Sequence, residues 1–351
     1  MGNFHNKTIL VTGSPGFIGA NLVMRLLKEY DAKKIVSFDN MNDYYDPKLK
    51  EYRLAQIEKI KSDTKHIFIK EDLANQTAVS EVFDLHKPDI VVNLAAQAGV
   101  RYSIDHPDVY MNSNITGFYN ILEACRSHPV KHLVYASSSS VYGGNKKIPF
   151  DVKDKTDNPV SLYAATKKSN ELMAHCYSKL YGIPTTGLRF FTVYGPAGRP
   201  DMFYYSATEK LAAGQSIKIF NFGNCKRDFT YVDDIVEGIM RVMQKAPASE
   251  TGEDGLLIPP YAIYNIGGGQ PENLMDFIDT LQKELVEAEI LPEDYDFEAH
   301  RELVPMQPGD VPITYADASA LEKDFGFVPS INIQEGLKRF VEWYRDYTQT
   351  K

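Results

Sequence analysis

Tyr163 and Lys167 stand four residues apart, and Ser138 stands 25 positions before the tyrosine. On a helix, residues at i and i+4 share one face. An ammonium group beside a phenol favours phenolate and draws the tyrosine pKa down toward neutrality. A serine hydroxyl bonding the same substrate oxygen shares its proton. Together the three predict a general base that takes a hydroxyl proton while hydride leaves the same carbon. The spacing alone is weak. Among 22 tyrosines it recurs at Tyr44/Lys48 and Tyr142/Lys146, and also at Tyr30/Lys34 and Tyr347/Lys351. Only Tyr163/Lys167 has both residues in a stretch that reads as a helix, after a glycine-rich opening and a serine-rich strand end.

Hydride needs an acceptor, and Thr12-Gly13-Ser14-Pro15-Gly16-Phe17-Ile18-Gly19 has the pattern of a dinucleotide turn between a strand and a helix. Gly13 permits the tight turn, Gly16 lets backbone approach a pyrophosphate, and Gly19 lets the helix pack close. The helix N-terminus, with Phe17 and Ile18, offers free N–H groups and a positive dipole end. Asp39 ends the next strand, where a carboxylate bonds both ribose hydroxyls and repels a 2′-phosphate. NAD is therefore expected rather than NADP. Asp72, just past the third strand, is a candidate for the adenine amine or a helix cap. Asn93-Leu94-Ala95-Ala96-Gln97 closes the fourth strand with small residues over which a cofactor can lie. Asn40, Leu73, Phe190 and Val193 flank these positions and are assigned to the cofactor with Leu94, Ala95, Ala96, Gln97, Tyr163 and Lys167. Lys167 is also placed to bond the nicotinamide ribose.

The elements that must position these groups follow from periodicity. Short apolar runs at Lys7–Val11, Ile35–Phe38, His66–Lys70, Ile90–Leu94, Leu133–Ala136 and Thr185–Phe190 read as strands. Helical stretches fill the gaps, notably Phe17–Tyr30, Val109–Arg126 and Leu162–Tyr181. This alternation predicts an α/β fold, a doubly wound parallel sheet of Rossmann type. After Phe191 Gly, Pro and Asn become frequent. Short strands mix with helices at Val232–Gln244, Leu274–Glu284 and Gln334–Tyr347, as in a smaller mixed α/β lobe. We expect a cofactor domain over residues 1–191, rejoined by segments near 231–266, and a substrate lobe mainly over 192–351.

Composition narrows the class. With 351 residues, 43% hydrophobic and 24% charged, the chain is long and apolar enough for a large core. A net charge of −9 argues against a nucleic-acid partner. The three cysteines lack disulfide or metal spacing. No apolar run is long enough to span a bilayer, and Met1–Lys7 is polar, so a cytoplasmic location is expected. His66, His86, His106 and His132 do not cluster with acids or cysteines, so no metal is expected. Gly267-Gly268-Gly269 follows a strand without helix-opening spacing and reads as a turn rather than a second phosphate loop.

The glycine pattern, Asn93–Gln97, Ala136–Gly143 and Tyr163–Lys167 resemble the extended short-chain dehydrogenase/reductase superfamily. Within it the chain is similar to nucleotide-sugar 4-epimerases, and most of all to bacterial UDP-glucuronate 4-epimerases. Ala95–Arg101, Ala136–Gly143, Leu188–Pro196, Gly198–Met202, Arg227–Tyr231 and Met306–Val311 carry that likeness, which covers nearly the whole chain.

The resemblance implies inversion at C4 of a UDP-sugar through a 4-keto intermediate. It places Ser138, Ser139, Ser140, Tyr163, Thr192 and Arg199 about the sugar, Arg227 and Arg301 about the diphosphate, and Arg101 among the substrate-binding residues. Relatives that eliminate water carry an Asp-Glu pair after the catalytic Ser or Thr, and uronate decarboxylases carry a Glu there. This chain has Ser139 and Ser140. Hydroxyl donors suit a uronate, whose 4-keto form is a β-keto acid that must be kept from losing CO2. Ser139, Ser140 and Thr192 would hold its carboxylate, with Arg199 as a charged partner. Galactose-type relatives carry an arginine where Gln307 stands, and Thr314 takes a position that is bulky in some of them. Val109–Arg126 and Leu162–Tyr181 carry apolar residues beyond those needed for one packed face: Ile115, Phe118, Ile121 and Leu122 in the first, Leu172, Met173 and Leu180 in the second. The resemblance implies a homodimer through a four-helix bundle of these helices. Alternatives are a neutral or N-acetylated UDP-hexose as substrate, a dehydratase, a decarboxylase or net oxidoreductase, and a non-catalytic NAD-binding protein.

Overall fold

The structure, a computed structural model, describes residues 4–307 and 310–349. Met1–Asn3 of the polar N-terminus, and Pro308 and Gly309 of the Met306–Val311 segment, lie outside the described residues. Thr8–Thr12 (β1), Lys34–Asp39 (β2), Lys65–Lys70 (β3), Ile90–Asn93 (β4), His132–Ser138 (β5) and Thr185–Phe190 (β6) alternate with helices. The helices of this half are Phe17–Glu29 (α1), Pro47–Glu58 (α2), Gln76–His86 (α3), the single turns Tyr102–Asp105 (α4) and Pro107–Tyr110 (α5), Gly117–Ser127 (α6) and Leu162–Tyr181 (α7). Tyr261–Ile266 joins as an edge strand beside β6. The seven-stranded parallel sheet runs from that edge through β6, β5, β4, β1 and β2 to β3.

The order reverses at β1. After β3 the chain crosses back to β4, which pairs with the other side of β1. The connections leaving β1 and β4 therefore diverge and open a crevice at the strands' carboxyl ends. The sheet is covered on both faces, so its strands are continuously apolar rather than alternating. In β1, Ile9 and Val11 join the core on one face while Leu10 joins the core on the other.

Much of the rest of the chain forms a smaller C-terminal lobe. Thr192–Tyr194 pairs with Phe229–Tyr231, and Ile217–Phe220 pairs with Arg301–Val304. Phe203–Ala212 (α8), Leu274–Glu287 (α10) and Ile333–Gln349 cover them, while Val232–Met243 (α9) packs against α1 and strands β5 and β6 of the main sheet. Phe229 stacks on Phe277 of α10 with ring centres 3.9 Å apart, which anchors the lobe's strands to its helices. The glycines at 267–269 form a turn around an internal anion. Buried Asp228 accepts from the N–H groups of Gly268 (2.6 Å), Gly269 (3.1 Å) and Ala316 (2.9 Å).

Helix α7 is specified locally at both ends. Ser161 Oγ accepts from Ala164 N at 3.1 Å, and Gly182 closes the helix at φ +67°. Tyr163 and Lys167 therefore lie in its first two turns. The expected helix over Val109–Arg126 is found with a π-helical turn at Met111–Thr116 between α5 and α6. Its apolar residues correct one reading. Phe118, Ile121 and Leu122 are buried in the protein's own core, so they are not surplus apolar surface. The exposed apolar side chains on these two helices are Met111 and Tyr119 on one, and Leu172, Leu180 and Tyr181 on the other.

Candidate active site

The glycine turn is built by close approach. Gly13 has φ +69°, and a Cβ there would lie 2.7 Å from Ala95 N. Added Cβ atoms at Gly16 and Gly19 would lie 2.8 Å and 2.2 Å from the Gly13 carbonyl oxygen. Gly19 thus clears the turn itself, rather than simply bringing the helix to the sheet. Thr12 Oγ1 donates to Asn93 Oδ1 (2.7 Å) and accepts from Ala95 N (3.2 Å), which ties the ends of β1 and β4 together. Gly16 begins α1 with no side-chain cap, so the first N–H groups of the helix stay open to an anion.

Asp39 closes β2 in the crevice. Its Oδ1 accepts from Met41 N (2.7 Å) and faces Lys50 Nζ at 3.5 Å. Asp72 Oδ2 accepts from Asn40 Nδ2 (2.8 Å) and its Oδ1 from Ala74 N (2.8 Å). One cleft of about 960 Å³ runs from these residues to α7 and on to the smaller lobe. All the residues assigned to the cofactor line it: Gly13, Gly16, Phe17, Ile18, Gly19, Asp39, Asn40, Asp72, Leu73, Leu94, Ala95, Ala96, Gln97, Tyr163, Lys167, Phe190 and Val193. The glycine cradle, the uncapped helix start and the carboxylate closing β2 fit a dinucleotide.

Ser138, Tyr163 and Lys167 come together where β5 meets α7. The Ser138 hydroxyl lies beside the Tyr163 phenol, and it donates to Ser140 Oγ at 3.1 Å. Lys167 Nζ donates to the Ala136 carbonyl at 2.8 Å. The expected charge relation is corrected here. Burial pushes the Tyr163 phenol above its ordinary value, and only Ser138 and Arg199 oppose it. Burial also pulls Lys167 down to about 8. The lysine's charge is spent on a carbonyl, and the cation that bears on the phenol is Arg199.

Arg101, Ser139, Ser140, Thr192, Arg199 and Arg227 line the smaller-lobe side of the cleft. Arg101 donates to Asp310 Oδ2 (3.0 Å) and lies 4.7 Å over the Phe220 ring. Arg227 donates to the carbonyls of Lys226 (3.0 Å) and Pro312 (3.1 Å). Arg199 is paired already, through two bonds to Asp201 at 3.0 and 2.5 Å. Burial would raise the Asp201 carboxyl, but Arg199 and the Tyr44 hydroxyl outweigh it and hold the group ionised. Arg301 is not brought to the cleft. It turns into the lobe to Glu298 (2.9 Å), Asp279 (2.5 Å) and Gln282, so its assignment to the diphosphate is withdrawn.

Sequence reasoning missed several neighbours. Tyr44, dismissed as a chance Tyr/Lys spacing, donates to Asp201 across the cleft at 3.1 Å. Asn114, in the π turn, accepts from Gln97 N (2.8 Å) and donates to Gln97 O (3.0 Å) and Thr166 Oγ1 (3.0 Å). It thereby fixes the loop after β4 to α7. A buried asparagine in a helix of small and polar residues was the available signal.

This arrangement defines an NAD-dependent enzyme of the Rossmann class with its substrate groups on a second lobe. Residues 9–267 match the NAD dependent epimerase/dehydratase family, and the chain belongs to it. It is 49% identical over 346 residues to protein CapI of Staphylococcus aureus, covering 97% of this chain and 98% of that one. It is 44% identical over 342 residues to a probable UDP-glucuronate 4-epimerase of Rhizobium meliloti, covering 95% and 96% of the two chains. Among solved structures it is similar to the UDP-glucuronic acid 4-epimerase of Bacillus cereus in complex with UDP-glucuronic acid and NAD. That match has a TM-score of 0.82 at 29% identity and covers 97% of this chain and 99% of that one.

Proposed function

We propose that the protein interconverts UDP-glucuronate and UDP-galacturonate by inversion at C4. The observation that carries this reading is the set of groups around Tyr163. Hydroxyls of Ser138, Ser139, Ser140 and Thr192 line the cleft there, and the carboxylate that bears on the phenol, Asp201, is locked onto Arg199. A locked carboxylate cannot trade protons, so elimination of water lacks its acid and base. The relatives named UDP-glucuronate 4-epimerase support the uronate.

NAD, when bound in the glycine cradle, supplies the acceptor and later the donor of the C4 hydrogen. The chain's own groups handle the proton. Tyr163 takes the proton of O4, with Ser138 bonding the same oxygen. The keto sugar then turns about its diphosphate linkage and presents its other face, and the proton returns from Tyr163 to O4. Ser139, Ser140 and Thr192 hold the carboxylate out of the orientation that leads to CO2 loss. Arg227, bonded among the described residues only to backbone carbonyls, is the cation left for the diphosphate, with Arg101 nearby but held by Asp310.

A second reading, a neutral or N-acetylated UDP-hexose, is favoured by the Arg199–Asp201 pair, which cancels a charge that a uronate could use. The test is incubation with UDP-glucuronate, UDP-glucose and UDP-N-acetylglucosamine in turn, with products identified by NMR. Conversion of UDP-glucuronate to UDP-galacturonate is expected. Epimerisation of UDP-glucose without uronate turnover would replace the first reading by the second.

A further inference from the structure

Arg53 lies on α2, outside every motif read from the sequence, and is 1% exposed. Its guanidinium has no carboxylate partner among the described residues. It donates instead to the carbonyls of Ala197 and Gly198, each at 2.8 Å, to that of Pro15 at 3.1 Å, and to Tyr45 Oη at 2.7 Å. It also lies 5.4 Å over the Tyr45 ring. Burying a guanidinium without an anion is costly, and here four bonds to fixed acceptors offset it. The planar fork matters, because one group reaches two backbone segments and the Tyr45 hydroxyl at once.

The two ends of that bridge are different parts of the site. Pro15 sits inside the glycine turn that cradles the cofactor. Ala197 and Gly198 precede Arg199 and Asp201 in the loop that enters α8. That loop is held in conformations that need support. Ala197 is a non-glycine residue at φ +51°, and Gly195 is at φ +144°. A Cβ on Gly198 would lie within 2 Å of the Tyr204 hydroxyl, so the loop is also packed tightly from the other side. The neighbouring residue Tyr44 closes the same loop to the cofactor side through Asp201 at 3.1 Å.

We infer that Arg53 is a positioning residue that couples the seating of the dinucleotide to the placement of the Arg199–Asp201 loop. The glycine turn and the substrate loop share one rigid fork, so a turn filled by cofactor fixes the loop, and a displaced loop loosens the turn. This rests on the proposed reading only for the identity of the sugar. Arg53→Met keeps the length and removes the fork, and Arg53→Lys keeps the charge and at most part of the bonding. NAD release from the purified protein is measured without sugar, by quantifying bound nucleotide after rapid gel filtration. KM for UDP-glucuronate is measured separately at saturating NAD.

For Arg53→Met we expect NAD release at least tenfold faster and KM raised at least fivefold, with Arg53→Lys intermediate in both. Saturating NAD removes simple cofactor loss as the cause of the KM change. A folded Arg53→Met with a lowered Tm but wild-type NAD release and wild-type KM would overturn the inference, because burial alone would then explain the residue. If Arg53→Met is insoluble, Arg53→Lys carries the test, and unchanged release and KM in it overturn the inference equally. Failure of wild type to convert UDP-glucuronate would sink the substrate reading alone. The NAD release comparison would still stand, and KM would be measured for the sugar that is turned over.

Discussion

At the scale of single residues, the site sets proton transfer against burial. Tyr163→Phe removes one oxygen, and general acid–base catalysis typically contributes about 10²–10⁴-fold. The variant should fold, carry NAD and lose turnover by that order, and near-normal activity would remove Tyr163 from its role. Lys167 is the costly member. Its pKa of about 8, against an ordinary 10.5, means that folding disfavours its charged form. The sign follows from proton binding. Between pH 8 and 10.5 the unfolded chain holds the proton and the folded one does not, so stability rises with pH there. Below pH 8 the full penalty is present. Lys167→Met should therefore lose turnover yet melt no lower than wild type, and up to a few degrees higher, at pH 6.5. The gap should narrow by pH 9.5 in a thermal unfolding series. A variant that melts lower at pH 6.5 would show that the bond to the Ala136 carbonyl outweighs the cost of the buried charge.

What could be read at this scale divided by contact range. Gly13, Gly16, Gly19 and Asp39 form a local pattern that needs only one strand, one turn and one helix, so their types announce their places. Tyr44 meets Asp201, and Arg53 meets Gly198, across more than a hundred residues of chain. Nothing in the spacing of either carries that information. Arg301 illustrates the converse. A free arginine near a motif is a candidate anion binder until acids from another helix, here Asp279, are found around it. The depressed tyrosine pKa failed for a related reason, since i, i+4 spacing says that two groups are near but not which acceptor takes the ammonium.

At the scale of elements, α7 must present Tyr163 and Lys167 at a fixed rotation against β5. One turn past Lys167, Glu171 accepts from Arg189 of β6 at 2.8 and 2.9 Å and from Ser137 of β5 at 2.7 Å. Both charged side chains are about 2% exposed. Burial raises the Glu171 carboxyl, and the Arg189 charge and bonds more than reverse it. Lys168 Nζ adds a more distant pairing at 3.4 Å. Removing Arg189 still takes away the buried partner, and breaking such a pair on one side costs roughly 3–5 kcal/mol. Arg189→Met should therefore destabilise by that order in urea unfolding. The double variant Arg189→Met with Glu171→Leu should recover a large part of it. Additive losses in the double-mutant cycle would contradict the pairing. The strands and helices on either side were legible because apolar runs and caps are local. The π turn at Met111–Thr116 was not, because one extra residue in a helix leaves its apolar pattern nearly unchanged.

At the scale of the whole molecule, the surface raises the question of assembly. Helices α6 and α7 lie side by side, linked by Tyr177 Oη donating to Glu123 at 2.6 Å. Together with the π turn they leave Met111, Tyr119, Leu172, Leu180 and Tyr181 in solvent, with Leu172 at 61% and Leu180 at 65% exposed. Isolated surface leucines are ordinary, but several on two adjacent helices form a self-complementary candidate, since a twofold axis needs one patch to face its own copy. We expect a homodimer in which these two helices and their copies form a four-helix bundle. The same α7 carries Tyr163 and Lys167 on its opposite, inward side, so the interface would brace the catalytic helix from behind. Leu172→Glu with Leu180→Glu puts two like charges per subunit into that seam. The expected result is a dimer by light scattering for wild type at micromolar concentration and a monomer for the variant, with Tyr163 still in place and NAD still bound. A wild-type monomer under those conditions, or a variant that remains dimeric, would show that these helices are not the contact.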